Sequence, residues 1–399
     1  MEKVISIGKQ NFASLRENHY FFVDKSHFIK DWWENGDEIT LITRPRRFGK
    51  TLNMSMLDCF FSNKYAVRGD LFEGLGVWEE GKYRELQGTY PVIFLSFAAV
   101  KADQLSEAKI QIKQQIARVY EENRYLLDGD LLSGNEKKAY NEVNLHMGDA
   151  EAAAALNNMS MYLARYYGRR VIILLDEYDT PMQEAYVHGY WAEFTTFVRS
   201  LFNATFKTNP YLERAMMTGI TRVSKESIFS DLNNLRVVTT TSDLYADCFG
   251  FTEKEVFASL DEFGMGDKKD VVKQWYDGYL FGNTEVYNPW SVINYVKNGI
   301  SGSRSFPQPY WSNTSSNSIV RELIDHADLH VKKEIEELIA GGTIEKPVHE
   351  DITYEDIGVE ESEENIWNFL FFTGYLKKVD EALRDGIRYI SMSIRMKRF

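Results

Sequence analysis

Five short stretches of mostly apolar and β-branched residues recur through the first 241 positions of the chain. They are EITLIT (38–43), YPVIFLSF (90–97), RRVIILLDE (169–177), RAMMTGI (214–220) and LRVVTTT (235–241). Because both alternating sets of positions are largely apolar, each stretch suits a strand that is buried on both faces, as in a parallel sheet. The pattern therefore predicts five strands of a central sheet.

Segments with helical spacing separate these strands. The segment after Thr51 carries apolar residues near a helical period, and residues 103–127 and 151–168 show longer and clearer helical patterns. Strands joined through helices need right-handed crossovers, which place helices on both faces of the sheet. The sequence thus predicts an α/β fold with a doubly wound, mainly parallel sheet.

The pattern changes from about residue 250 onward. Three segments read as helices: TEKEVFASLDEFG, KKDVVKQWYDGY and NPWSVINYVKNG. Residues 299–318 are rich in Ser, Gly, Pro and Asn and predict a loop, and a further helix is expected to end at Gly341-Gly342. An acidic segment, 349–365, then precedes a helix and a terminal hairpin. We therefore divide the chain into a sheet domain (1–246), a helical, lid-like domain (247–345) and a C-terminal region (346–399).

Charge and cysteine content narrow the class of protein. The 399 residues carry a formal net charge of −13, which argues against a protein that coats nucleic acid through bulk electrostatics. Cys59 and Cys248 are the only two cysteines, and their spacing fits neither a disulfide framework nor a metal motif. The start lacks a continuous apolar core, and no run reaches about 18 apolar residues, so we expect a cytoplasmic protein without a membrane span.

The stretch LITRPRRFGKTL (41–52) ends a phosphate-binding loop of the form G-x-x-x-x-G-K-[ST], although Arg44 stands where the first glycine is expected. A predicted strand precedes it and a predicted helix follows, which is the setting that the motif requires. Pro45 favours an extended Arg44, so no glycine turn is needed there. The residues expected to bind the phosphates of a nucleotide are Arg47, Phe48, Gly49, Lys50, Thr51 and Leu52. Within this set, Lys50 is expected to contact the β and γ phosphates and Thr51 to bind Mg²⁺, whereas Arg47 could equally be a solvated loop arginine.

Acidic and polar residues follow the third and fourth predicted strands. Asp176 ends an apolar run and is predicted to share the Mg²⁺ with Thr51, while Glu177 is predicted to orient and deprotonate the attacking water. The alternative is a pair of surface acids at a strand end. Asp179 and Thr180 are expected only to cap the helix that begins at Pro181.

The fourth stretch continues as MMTGITR. Thr218 could sense the γ-phosphate and Arg222 could stabilise charge on it, or they could be an ordinary strand end and a solvated arginine. One strand lies between the loop strand and the acidic strand, which is typical of the additional-strand branch of P-loop ATPases, with a 5-1-4-3-2 sheet order. No N/T-K-x-D element for guanine follows a strand, so ATP is the expected nucleotide.

Several motifs, in order over about residues 6–376, resemble the bacterial AAA-ATPase-like family. They are GKQNFASLRENHYFFVDKSHFIKDW, LITRPRRFGKTLNMSMLDCFF, LLDEYDTPM, GITRVSKESIFSDLNNL, GFTEKEV, WYDGYLFG with VYNPWSVINYV, and FLFFTGYL. In that family Arg44 is the usual form of the loop. The resemblance implies an ATPase and marks Asp24 and Lys25 as a signature where related ATPases contact the base.

Members of this family commonly continue into a PD-(D/E)XK nuclease-like domain. After FLFFTGYL this sequence has no room for a D…E-x-K core, so we expect no nuclease activity from these 399 residues. The nuclease association implies DNA-related, mobile-element or defence work, with any DNA or partner protein held at a local patch. The sequence leaves the oligomeric state open. It also leaves open an ATP-driven switch that moves the helical region, a nucleotide-holding scaffold without turnover, and, less well supported, a small-molecule kinase.

Overall fold

A computed structural model describes residues 3–222, 228–229, 232–300, 306–311, 320, 323–325, 327–349 and 363–394. Most of the predicted acidic segment at 349–365 and of the predicted loop at 299–318 lies outside this described part. Within it, no helix is both long enough and apolar enough to cross a bilayer.

The central sheet has five parallel strands in the order β2-β3-β4-β1-β5. The strands are β1 (Ile39–Thr43), β2 (Val92–Ser96), β3 (Val171–Asp176), β4 (Leu212–Gly219) and β5 (Leu235–Val238). β1 lies between β4 and β5, with Ile39 opposite both Ala215 and Leu235. The predicted α/β class, the parallel sheet and the 5-1-4-3-2 order are confirmed.

Among the described residues, nine α-helices accompany this sheet. They are α1 (Phe12–Glu17), α2 (His27–Asn35), α3 (Lys50–Phe61), α4 (Gly81–Leu86), α5 (Leu105–Glu122), α6 (Gly134–Glu142), α7 (Asp149–Tyr167), α8 (Thr180–Val187) and α9 (Trp191–Phe202). The three predicted helices correspond to α3, α5 and α7. α7 ends where Gly168 takes a left-handed conformation, with φ of +64°, that glycine adopts without strain.

Both faces of the sheet are buried, which explains its apolar strands. Ile39 and Leu41 of β1 pack on the side of α5, α7 and α9, while Ile42 of the same strand packs on the side of α2 and α3. Successive side chains of a strand point to opposite faces. A strand inside this sandwich therefore needs apolar residues at both parities, and every residue of β1 and β3 is buried.

The chain beyond residue 250 is less purely helical than its sequence predicts. In the described part of this region the helices are α10 (Glu253–Glu262), α11 (Lys269–Tyr276), α12 (Pro289–Ile300), α13 (Leu329–Ile339) and α14 (Glu363–Phe372). The strands described there are β6 (Tyr279–Phe281), β7 (Thr284–Val286), β8 (Ile344–Pro347), β9 (Leu376–Arg384) and β10 (Ile387–Ile394). β6 and β7 form a small antiparallel hairpin that the sequence did not predict. β9 and β10 form the expected terminal hairpin, and β8 pairs with β10.

Candidate functional site

The predicted phosphate-binding loop connects β1 to α3 at the carboxyl edge of the sheet. Gly49 is the N-cap residue of α3 with φ of +85°, so the helix begins at Lys50. The N-terminus of α3 opens into a cleft of about 560 Å³, whose lining includes Arg47, Gly49, Lys50, Thr51 and Leu52. Free backbone N–H groups and the helix dipole make such a position favourable for an anion.

Arg44, at the position of the missing glycine, is fully buried. Its guanidinium donates to the carbonyl oxygens of Thr239 and Leu244 and lies 4.5 Å from the centre of the Phe281 ring. Burial lowers the pKa of Arg44 to about 9. The left-handed positions of the loop are Arg47, with φ of +69°, and Gly49, with φ of +85°. The loop therefore forms without its first glycine, because the buried Arg44 side chain fixes the start of the loop to the segment after β5 and to Phe281 of β6.

Lys50 points back over the loop that carries it. Its ammonium donates to the carbonyl oxygens of Arg44 (2.8 Å) and Pro45 (3.0 Å), and only 7% of the residue is exposed. Burial lowers the pKa of Lys50, while the carboxylates of Glu177, Asp179 and Asp176 act in the opposite direction. The ammonium is thus held inside the cleft by neutral carbonyls rather than by a direct ion pair.

Asp176, at the end of β3, lies beside Thr51 and Thr218. The Thr218 hydroxyl donates to Asp176 Oδ1 at 2.5 Å, and the Thr51 side chain also hydrogen-bonds the carboxylate. The other oxygen, Oδ2, is buried and has no hydrogen-bond partner among the described residues. Burial raises the pKa of Asp176, and these two hydroxyls partly offset the shift. A buried carboxylate oxygen next to a threonine hydroxyl is the donor set that Mg²⁺ prefers, so the residues fit the ion.

Glu177 follows in a strained conformation. Its φ is +52°, which is uncommon for a residue other than glycine and concentrates at functional sites. The Glu177 side chain lines the cleft and accepts from the Thr180 hydroxyl at 3.1 Å, while its backbone N–H donates to Thr218 Oγ1 at 3.3 Å. The carboxylate is therefore presented to the cleft by a fixed backbone.

The capping role expected of Asp179 is wrong. Asp179 is the N-cap residue of α8, but its side chain makes no capping hydrogen bond. The fully buried carboxylate instead accepts from the backbone N–H groups of Ile220 and Thr221, both at 2.9 Å. Asp179 thereby ties the segment after β3 to the end of β4. Its place in the sequence, two residues after the acidic pair, gave no signal of this role.

Three other predicted site residues, Arg222, Phe48 and Asp24, are not among the described residues that line the cleft. Arg222 is half-buried and lies beyond the end of β4. Phe48 is buried with its ring centre 4.6 Å from that of Tyr279. Asp24 accepts from the backbone N–H groups of Ser26 and Gly76, each at 2.8 Å.

Lys25, the second signature residue, is engaged in a structural ion pair. Its ammonium donates to the Glu255 carboxylate at 2.6 Å and to the Asp247 carbonyl at 2.6 Å. It also lines a small cavity of about 90 Å³ behind the loop, together with Phe48. These contacts join the start of the chain to α10 rather than to the main cleft.

The region beyond residue 250 contacts the loop directly. The Arg47 guanidinium lies 4.3 Å from the centre of the Trp290 ring, and Trp290 lines the cleft. Trp311 Nε1 donates to the Arg46 carbonyl at 3.1 Å, and the Arg46 side chain reaches Gln183 Oε1 of α8 at 3.2 Å. The loop is thus held between the sheet and α12.

The charge of the cleft is opposite to that of the whole chain. Five basic side chains line it, Lys9, Arg46, Arg47, Lys50 and Lys101, against two acidic ones, Glu177 and Glu184. The whole chain carries a formal net charge of −13. A concave site with an excess of three positive charges attracts anions from solution.

This arrangement can be compared with known proteins. A family model described as "Predicted AAA-ATPase" matches residues 6–229, more than half of the chain. The chain belongs to the AAA-ATPase-like family. The family resemblance drawn from the motifs is therefore confirmed, and it supports a nucleotide-binding, ATPase-like module.

This AAA-ATPase-like protein also has a relative of unknown role. It is 29% identical over 326 residues to a protein of Azotobacter chroococcum mcd 1 named "Uncharacterized protein in vnfD 5'region". The alignment covers 81% of this chain and 56% of the relative. The chain thus spans about half the length of the curated relative that it matches.

Proposed function

We propose that the protein binds ATP with Mg²⁺ and hydrolyses it, and that the nucleotide state controls the position of the helical region. The observation that carries this proposal is the cleft itself. The N-terminus of α3 and the Glu177 side chain line a space of about 560 Å³, and Asp176 is hydrogen-bonded to the Thr51 side chain of that lining. Few reactions other than phosphoryl transfer need a cluster of basic groups for an anion and an acidic pair at the same site.

The triphosphate would be held by the loop. Lys50 exchanges its contacts with the Arg44 and Pro45 carbonyl oxygens for contacts with phosphate oxygens, which relieves the burial of an ammonium among neutral partners. Arg47 adds a second cation at the mouth of the cleft. Mg²⁺ would be held by Thr51 and Asp176 and would neutralise charge on the phosphates.

Glu177 is the proposed general base. Its carboxylate lines the cleft, and the hydrogen bond from Thr180 fixes its direction. A base positioned in this way contributes about 10²–10⁴-fold to a rate. Thr218 keeps the end of β4 in contact with both members of the acidic pair. Arg222 lies three residues beyond the end of β4. It is proposed to supply positive charge when the phosphates are bound.

Adenine is the proposed base, on the absence of a guanine element in the sequence. We place it against Leu52, Pro289 and Ile293, which line both the main cleft and the smaller cavity of about 90 Å³. A base bound there would contact α3 and α12 at once. Nucleotide binding and release would then change how α12 packs on the loop, which is the basis of the proposed switch. The family's association with nuclease-like domains supports DNA-related, mobile-element or defence work as its setting.

Phosphate release with Mg-ATP tests this proposal. We expect turnover in the wild type, loss of turnover in Lys50→Ala, and a fall of about 10²-fold or more in Glu177→Gln. Glu184→Gln is the matched control, because Glu184 lines the same cleft and pairs with His188. Wild-type turnover no faster than that of the first two variants would contradict hydrolysis. ATP binding that persisted in that case, in the wild type and Glu177→Gln, would favour the scaffold without turnover.

A further inference from the structure

A second cluster of ligand-type side chains lies away from the nucleotide cleft, between α2 and the segment before α10. His27 and Asp31 are one helical turn apart on α2, and Cys248 approaches them from the other segment. Donor atoms of these three side chains all lie within 4.8 Å of one another. Asp247 adds a fourth donor, with Oδ1 3.6 Å from His27 Nε2.

The distances within this cluster match the edges of a coordination tetrahedron. Bonds of about 2.0–2.3 Å to a tetrahedral Zn²⁺ place neighbouring donors about 3.3–3.8 Å apart. His27 Nε2 lies 3.4 Å from Cys248 Sγ, and Cys248 Sγ lies 3.8 Å from Asp247 Oδ1. Together with the His27–Asp247 distance, three edges, which form one face of the tetrahedron, are in place, and an Asp31 oxygen lies within 4.8 Å of the donor atoms of His27 and Cys248.

The surroundings favour a cation at this place. Lys25, a basic residue close to the cluster, already pairs with Glu255. Two carboxylates and a thiolate would more than balance the charge of a divalent metal.

We propose that His27, Asp31, Asp247 and Cys248 bind a divalent transition metal of the Zn²⁺ type. Imidazole, thiolate and carboxylate are the ligands that suit such ions, and the thiolate disfavours Mg²⁺ and Ca²⁺. The site is distinct from the Mg²⁺ position at Thr51 and Asp176. It joins α2 to the segment that also holds the loop, because Asn53 Nδ2 donates to the Cys248 carbonyl at 2.9 Å and Gly250 N–H donates to the Phe48 carbonyl at 3.2 Å.

Co²⁺ titration of the full chain, stripped of metal with a chelator, tests the proposal. We expect one Co²⁺ per chain, a thiolate-to-cobalt charge-transfer absorption, and displacement of Co²⁺ by Zn²⁺. Cys248→Ser should abolish the absorption and weaken binding by about tenfold or more, since even changes outside the ligand shell cost about 10–100-fold. Cys59→Ser is the matched control, because Cys59 is the other buried cysteine and does not belong to the group formed by His27, Asp31 and Cys248.

His27→Gln provides a second variant on a half-exposed side chain, where folding is less sensitive. It should lower the affinity for Co²⁺ while leaving Cys248 in place, and circular dichroism without metal verifies that each variant is folded. Absence of stoichiometric Co²⁺ binding in the wild type would overturn the proposal. So would a charge-transfer absorption that survives in Cys248→Ser or disappears equally in Cys59→Ser. Either result would leave the cluster as a hydrogen-bonded Cys-His-Asp network.

Discussion

Replacement of Asp179 by alanine should destabilise the fold and the site together. The Asp179 carboxylate accepts from two buried backbone N–H groups, those of Ile220 and Thr221. Each buried donor left unsatisfied costs about 1–3 kcal/mol, so their loss amounts to about 2–6 kcal/mol. Burial raises the pKa of Asp179, which means that its ionised form is costly in the folded state. Removing that charge returns part of the loss, so we expect about 2–4 kcal/mol for Asp179→Ala.

Asp179→Asn separates the two effects. Its amide oxygen can still accept from both N–H groups, while the buried charge is gone. A group whose pKa is raised on folding stabilises the protein at low pH and loses this contribution as the pH rises through the folded-state value. The unfolding free energy of the asparagine variant should therefore lie within about 1 kcal/mol of that of the wild type, and it should be most favourable relative to the wild type at high pH. Urea denaturation of the three proteins at about pH 4, near the unfolded pKa, and at about pH 8 is the assay. Equal unfolding free energies for the alanine and asparagine variants would refute this reasoning.

Three further predictions follow from single contacts. Gly219→Ala would place a Cβ 2.6 Å from Tyr178 Cε1 and 2.8 Å from Asp179 Oδ1, so it should lower the unfolding free energy by about 1–3 kcal/mol and slow ATP turnover. Gly134→Ala, whose Cβ meets open space, should change neither quantity in the same denaturation and phosphate-release assays. Burial raises the pKa of Asp58 to about 6. The unfolding free energy should therefore fall by up to about 3 kcal/mol as the pH rises from about 4 through 6, and Asp58→Asn should flatten this pH dependence in a series of denaturation curves. Trp290→Leu removes the ring under the Arg47 guanidinium, a contact that contributes about 1 kcal/mol, so ATP affinity measured by calorimetry should fall several-fold, and less in Trp290→Phe. An unchanged affinity in the leucine variant would show that this contact does not contribute to ATP binding.

The five strands could be predicted because a strand buried on both faces needs a largely apolar run, which few other structures require. Their order followed from the one strand between the loop strand and the acidic strand, which is typical of one branch of P-loop ATPases. The same reasoning placed the loop, since a strand must precede it and a helix must follow. The β6–β7 hairpin escaped prediction because each strand has only three residues, too few to show a period. Its turn at Gly282 is the sole local sign.

Several site features depend on contacts between distant segments, which no local pattern records. Arg44 is charged and would be expected at the surface, yet it is fully buried under Phe281. Asp179 sits where a helix cap is common but turns toward β4. Cys248 shows no metal-ligand spacing in the sequence because His27 and Asp31 come from the opposite end of the sheet domain. The assignments of Lys50, Thr51, Asp176 and Glu177 remain predictions of role, with their positions now given.

The central claim is that the loop between β1 and α3 binds a nucleoside triphosphate through Lys50. Calorimetric titration of the purified chain with ATP and Mg²⁺, using the wild type and Lys50→Ala, tests it most directly. We predict saturable binding of one ATP per chain in the wild type and a loss of about 1.5–3 kcal/mol, or more than tenfold in affinity, in Lys50→Ala, because a charge-assisted contact to phosphate is removed. Equal affinities for the two proteins, or no binding to the wild type, would contradict the claim.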